Sequence, residues 1–215
     1  LRIWDCNSKS SVGTLTGHAS PVMHFSWYGG CLMSGDRKGV VKVWDVERQK
    51  AGSTFETKHG QIASIGHLLT DGGQLSVAGD QGGAVTVFDF ARQKAPVFQE
   101  VLHPGGSVTA VKGMAANGMI VTGGADKVIN CLEPRMSYQP VHTFIDHKDF
   151  IYSLETFGSL ILSGGGNGWL LAHDTESGKC LYGLGASSAA VRSIFASQER
   201  LVCAGDDGKA MVYDF

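Results

Sequence analysis

The stretch "SGDRKGVVKVWDVERQK", Ser34 to Lys50, alternates as a half-buried strand does. Val41 and Val43 project to one side, and Lys42 and Trp44 to the other. The strand closes on an aspartate and runs into a polar turn. Just upstream, "VMHFSWYGGCLMSG" has the same grain. A short apolar run through Val22, His24, Phe25 and Trp27 is followed by a turn at Tyr28-Gly29-Gly30, and then by Cys31-Leu32-Met33. Such runs, bounded by Gly-rich or polar turns, predict strands. Nowhere does the chain offer ten or more residues of helical apolar periodicity, so the expected fold class is all-β.

The phrase that ends on Trp44-Asp45 returns. Trp4-Asp5, Trp44-Asp45, Phe88-Asp89, Leu132-Glu133, His173-Asp174 and Tyr213-Asp214 follow one another at intervals of 40 to 44 residues. The last five pairs close similar phrases: "SGDRKGVVKVWD", "AGDQGGAVTVFD", "TGGADKVINCLE", "SGGGNGWLLAHD" and "AGDDGKAMVYDF". Each phrase starts with Ser, Ala or Thr followed by glycine. A second marker, a histidine, lies 26 to 29 residues before four of the pairs, at His18, His59, His103 and His147; the last unit has Ala186 instead. A fixed period of this length marks a repeat protein, in which one small sheet per repeat stacks on its neighbours. The chain reads as one domain over residues 1–215, with units ending near residues 5, 45, 89, 133, 174 and 214.

Gly-His, Ser-Gly and Trp-Asp, in that order at that spacing, resemble the WD-repeat β-propeller family over essentially the whole chain. The resemblance implies four-stranded antiparallel blades packed face to face around a channel. It also implies a buried chain of hydrogen bonds from the Trp indole to Ser or Thr, then to His, then to an Asp in the turn between second and third strands. Carried onto this sequence, the Trp position holds Trp44, Phe88, Leu132, His173 and Tyr213. The serine position holds Ser34, Ala78, Thr122, Ser163 and Ala204. The acid, placed six residues before the Trp position, falls on Lys38, Gly82, Asp126, Asn167 and Asp207. On that alignment no unit has all four groups, and apolar packing is expected to carry more of the blade-to-blade stability than the polar chain. Trp44 is expected in the core and Asp45 at the start of the turn to the outer strand.

Leu1 to Asp5 reads as the end of a third strand, "SVGTLT" at residues 11–16 as a fourth, and Tyr213-Asp214-Phe215 as the end of another third strand. Two arrangements fit. Either the strand near 11–16 completes the last blade and closes a five-bladed ring, or about five blades belong to a longer propeller. An open ring exposes strand edges, and the family's usual seven blades favour the second arrangement.

Composition narrows the function. The 215 residues carry a formal charge of −2, so no global field draws the chain to nucleic acid or an anionic membrane. No run of 18 apolar residues forms a membrane span. Five cysteines, an odd number without a Cys-x-x-Cys pair, favour a reducing compartment, cytoplasmic or nuclear. His-Glu-x-x-His, Gly-x-Ser-x-Gly and phosphate-loop signatures are absent, so an enzyme is not expected, and no cofactor or small-molecule substrate is implied. "SGGGNG", Ser163 to Gly168, aligns with the other phrase starts and is a strand-to-strand turn rather than a phosphate cradle. The eight histidines do not fall at metal-ligand spacing, and no metal site is expected.

What remains is recognition by loops on a rigid scaffold. The resemblance implies that the turns between second and third strands share one end with the loops before the first, where they would gather Arg37, Lys38, Lys58, Asp80, Gln81 and Lys127. Lys148, Asp149, Phe150, Asn167, Trp169 and Asp206 join them. Mixed charges with aromatic anchors, here Phe150 and Trp169, suit a peptide or protein partner. The expected function is therefore a non-catalytic scaffold within a larger assembly. The alternative, a nucleic-acid or chromatin-associated subunit, rests only on Arg37-Lys38 and scattered lysines.

Overall fold

The computed structural model describes residues 1–28, 30–70, 73–89 and 95–214. Among these, twenty-one strands form six antiparallel sheets, and there is no α-helix. β1 (Arg2–Asp5) and β2 (Ser10–Thr14) make a two-stranded sheet. Four-stranded meanders follow: β3 (Val22–Tyr28), β4 (Cys31–Asp36), β5 (Val40–Asp45) and β6 (Lys50–Glu56); then β7 (Ile62–Thr70), β8 (Gly73–Asp80), β9 (Ala84–Asp89) and β10 (Pro96–Val101). The next two are β11 (Val108–Met114), β12 (Met119–Gly124), β13 (Ile129–Glu133) and β14 (Gln139–Phe144); and β15 (Ile151–Phe157), β16 (Leu160–Gly165), β17 (Trp169–Asp174) and β18 (Lys179–Gly185). The last sheet has three strands, β19 (Val191–Ala196), β20 (Arg200–Gly205) and β21 (Ala210–Asp214). β2 pairs with β1 and not with β21, so the strand near residues 11–16 does not complete the last sheet.

The first strands β3, β7, β11, β15 and β19 pack one on the next. All five contribute to the wall of one channel of about 320 Å³, through residues such as His24, Ser64, Lys112, Tyr152 and Arg192. The sheets are therefore propeller blades, with their first strands innermost. Alternation along each strand sends apolar side chains to both faces, and a separate core forms at each contact between consecutive sheets. Val77, Val85, Val108, Val111, Ile120 and Leu132 fill one of them; Ile129, Phe144, Ile151 and Ile161 fill the next.

Two features of the repeated phrase shape each blade. The glycine in its second place receives a β-branched residue of the following first strand. A Cβ on Gly35 would lie 2.3 Å from Ile62 Cγ2, and one on Gly164 would lie 2.7 Å from Val191 Cγ1. The turn that follows ends in a left-handed residue, at Gly39, Gly83, Gly168 and Gly208 with φ between 75° and 84°, and each closes a main-chain bond three residues back. In the third full unit the same place holds Lys127 at φ 72°.

The aspartate of the Trp-Asp pair organises the turn to the outer strand. Asp45 Oδ1 accepts the Arg48 N–H at 2.9 Å, Asp5 accepts from Asn7 and Ser8, and Asp174 accepts from Glu176 and Ser177. These are side chains satisfying turn amides. At Asp174 the Ser177 bonds hold the carboxyl down to about 2.

The register corrects one alignment. Leu201 lies opposite Tyr213 as Leu32 lies opposite Trp44, so the serine position of the last unit is Cys203 and not Ala204. Cys203 Sγ accordingly points to the Met211 carbonyl at 3.9 Å, as Ser163 Oγ donates to Leu171 O at 3.3 Å. Ala204 takes the place of the glycine.

Candidate functional site

The first full blade carries the whole polar chain. Trp44 Nε1 donates to Ser34 Oγ at 2.7 Å, Ser34 Oγ meets His18 Nε2 at 2.7 Å, and His18 Nδ1 meets Asp36 Oδ2 at 3.0 Å. Ser34, Asp36 and Trp44 are buried. The sequence alignment put Lys38 in the acid position; the structure puts Asp36 there and leaves Lys38 exposed on the turn. Asp36 Oδ1 also accepts the Lys38 and Val40 N–H groups, which fixes the turn to the same carboxylate.

The third full blade reaches the same geometry from another residue. His103 Nδ1 meets Asp126 Oδ1 at 2.9 Å, and His103 Nε2 meets Thr122 Oγ1 at 2.9 Å. Asp126 stands two residues later than Asp36 within its phrase, and Gly124 occupies the earlier place. A Cβ on Gly124 would lie 2.4 Å from both Asp126 Oδ1 and His103 Nδ1. One carboxylate pocket is thus filled from either of two chain positions, and the other position is glycine or points outward.

The remaining blades hold parts of this arrangement. His147 Nε2 meets Ser163 Oγ at 2.7 Å, but its Nδ1 has no hydrogen-bond partner; burial, then the neighbouring His173, holds its pKa down to about 4. In the second full blade His59 is exposed, and the buried residue at the histidine position is Thr57. The reason is local: Thr57 N donates to Gly39 O as His103 N donates to Gly83 O, so the chain enters the blade two residues earlier than the sequence marker suggests. Asp80, expected on the binding rim, is buried there and accepts the Gly82 and Ala84 N–H groups; burial raises its pKa. Asp207 caps the Lys209 and Ser188 N–H groups, with Ala186 in the place of a histidine.

The other rim candidates lie on loops at one end of the blades, as the topology dictates. Arg37, Lys38, Lys58, Gln81, Lys127 and Lys148 are exposed there. Phe150 and Trp169 are 44% and 48% exposed, which leaves half of each ring available. The chain joins their neighbourhoods: Gly166 N donates to Phe150 O at 2.8 Å, and a Cβ on Gly166 would meet the Asp149 carboxylate. Asn167 Oδ1 accepts the Trp169 N–H at 3.4 Å.

Two residues absent from the sequence-based candidates extend this patch toward the channel. Phe150 meets Tyr152 edge-on at 6.5 Å between centroids, and the Arg192 guanidinium lies 3.9 Å from the Tyr152 ring centre. Asp206 holds Arg192 through Nε and Nη2, at 2.9 and 2.7 Å, and its carboxyl is pulled below the usual range by that bond. An aromatic two residues after Phe150 on an alternating strand was the signal for Tyr152; nothing in the sequence linked Arg192 to it.

A larger cavity of about 620 Å³ lies at the opposite end, among the turns Ala115–Gly118 and Glu133–Arg135, with Asp89 and Tyr138 in its wall. Among the described residues, the grouping of three metal-type donors is Asp146, on the loop before the fourth full blade, with His173 and Cys180 on the third and fourth strands of that blade. No helix among the described residues is long and apolar enough to cross a membrane.

The family model described as "WD domain, G-beta repeat" matches residues 9–45 and 178–214. No curated protein matches the chain. Among solved structures, the chain superposes over its full length on the computationally designed Ika8 protein, with a TM-score of 0.86 at 20% identity. It also superposes over its full length on a chain of the mitotic checkpoint complex, with a TM-score of 0.87 at 18% identity. It spans 64% of the first and 67% of the second. At such identities the likeness is one of fold.

Proposed function

Taking the chain as a β-propeller that carries WD repeats, we propose that it is a non-catalytic scaffold that binds a protein or peptide partner. The binding surface is the end that bears the turns after each second strand, and the blades described here belong to a ring of about seven. The observation that carries this reading is that Phe150, beside the ordered Tyr152–Arg192–Asp206 group, and Trp169 are both half-exposed at an end that bears charges of both signs. Aromatic anchors beside a fixed guanidinium are the residues that dominate protein interfaces. Among the described residues, His18, His103 and His147 are engaged with Ser34, Thr122 and Ser163 in the blade fasteners. A superposable chain occurs in a multi-protein complex, which agrees with a role in an assembly. Buried, unpaired Cys131 and Cys203 fit a reducing compartment, cytoplasmic or nuclear.

Quantitative affinity capture tests the reading. The wild-type chain is compared with a Phe150→Ser/Trp169→Ser variant and with Met136→Ser, which alters an exposed turn at the opposite end. The expected result is a set of proteins lost with the first variant and retained with the second. The same set held by both variants, or lost with Met136→Ser, overturns the assignment of the surface. Capture of nucleic acid that falls steeply with salt would favour the nucleic-acid alternative.

A further inference from the structure

His173 stands where the other units place Trp44, Phe88, Leu132 and Tyr213, yet it is a polar ring, fully buried. It packs 4.6 Å from Phe144 and 6.3 Å from His147, measured between ring centres. Its Nε2 lies 3.3 Å from Asp146 Oδ2, a long contact, and its Nδ1 has no hydrogen-bond partner. A buried polar atom left unpaired costs about 1–3 kcal/mol.

The strand opposite adds a second donor. Cys180 is the residue paired with His173 across the β17–β18 ladder. The corresponding residues in the other four-stranded blades are Ala51, Pro96 and Pro140, which offer no ligand atom. Asp146, on the loop before the fourth full blade, supplies a third donor and is 45% exposed, which gives a path from solvent. The ligand atoms of the three side chains already lie within 4.8 Å of one another.

We propose that Asp146, His173 and Cys180 form a three-donor site for a borderline divalent transition-metal ion, best matched by zinc, with the fourth tetrahedral position open to water. Thiolate, imidazole and carboxylate together suit zinc and disfavour magnesium or calcium, which take oxygen ligands. Zinc–ligand bonds of about 2.0–2.3 Å require donors roughly 3.5 Å apart. His173 Nε2 and Asp146 Oδ2 already stand at 3.3 Å. On binding, the Cys180 thiol gives its proton to solvent and its sulfur becomes the metal's thiolate ligand. The donors come from the loop before the fourth full blade and from two strands of that blade, so the ion would tie Asp146 to β17 and β18.

The 215-residue chain, freed of metal by a chelator, is titrated with zinc in a calorimeter, and with cobalt(II) while the absorption spectrum is followed. The expected result is one zinc per chain, a thiolate-to-cobalt charge-transfer band, and a rise in the thermal midpoint with zinc. Cys180→Ser removes the charge-transfer band. His173→Phe, which places in this blade the residue the second full blade uses at Phe88, keeps the fold and weakens zinc binding by at least about tenfold. Cys6→Ser, at an exposed thiol, leaves both unchanged. No zinc binding by the wild-type chain, or zinc binding by Cys180→Ser and His173→Phe as tight as that of the wild type, overturns the site.

Discussion

Val108 of one blade presses on Gly79 of the blade before it: a methyl group at Gly79 would sit 2.5 Å from the valine Cβ and 2.7 Å from Ser64 Oγ. Ser64 Oγ in turn donates to Val108 O at 2.7 Å. The contact is therefore both close-packed and hydrogen-bonded. Gly79→Ala should destabilise the chain by about 1–3 kcal/mol through overpacking. Adding Val108→Ala removes the valine Cγ1, which would also lie 2.5 Å from that methyl group, and should return part of the loss. Denaturant unfolding of the single and double variants measures the coupling. Strict additivity would show that the residues do not meet.

The carboxylate pocket shared by Asp36 and Asp126 gives a second prediction. Asp36→Gly removes the partner of His18 and the cap of two turn amides, at a cost of about 1–3 kcal/mol. The double variant Asp36→Gly/Lys38→Asp recreates the Gly124/Asp126 arrangement and should recover at least half of the loss. If the double variant is no more stable than Asp36→Gly, the two chain positions are not equivalent.

Ser34 is the junction of the polar chain in the first full blade. Ser34→Ala leaves the Trp44 and His18 ring nitrogens buried without that oxygen, which should cost about 1–3 kcal/mol. Trp44→Ala should cost about 3–5 kcal/mol, chiefly from lost packing. Thermal midpoints of the two variants, in that order below the wild type, check the ranking.

Lys127 occupies a left-handed turn position that four sister turns give to glycine. A side chain there is strained by about 1 kcal/mol, partly offset by the greater freedom of glycine in the unfolded chain. Lys127→Gly should raise stability by about 0.5 kcal/mol, and Lys127→Ala should not. An equal rise in both would assign the effect to the loss of charge instead.

Stability should fall as the medium is acidified. The His147 pKa is lowered from 6.5 to about 4 by burial, so the unfolded chain takes up a proton that the folded chain refuses. The contribution is fully present above pH 6.5 and is lost progressively between pH 6.5 and 4, amounting to on the order of 3 kcal/mol. His24, His67 and His173 are shifted in the same direction by burial. Asp80, whose pKa burial raises, works in the opposite sense as the pH falls. Denaturation midpoints across this range should show a shallower slope in His147→Gln; an unchanged slope would contradict the assignment.

The strands and their grouping were legible because two periods act together: side chains alternate every second residue, and the Ser-Gly phrase returns about every forty. What escaped was finer than either period. Asp36 was passed over because a carboxylate can enter its pocket from two places, and a fixed offset from Trp44 sees only one. Ala204-Gly205 imitates the start of a phrase, yet the constant ten residues from the serine position to the Trp position select Cys203. Thr57 was hidden because His59, two residues on, offered the expected letter. Tyr152 and Arg192 come together through packing between neighbouring blades, which no local pattern encodes.

The glycine contacts all point the same way round the stack. Gly35 accepts Ile62, Gly79 accepts Val108, Gly123 accepts Ile151 and Gly164 accepts Val191; each blade is the socket and its successor the plug. Damage should therefore travel with a direction. A swollen socket unseats the blade that follows it in the chain and leaves the one before it seated. Amide exchange after a single glycine substitution should accelerate on the C-terminal side of the lesion, giving the assembly a sense of rotation that its near-identical blades do not reveal by shape.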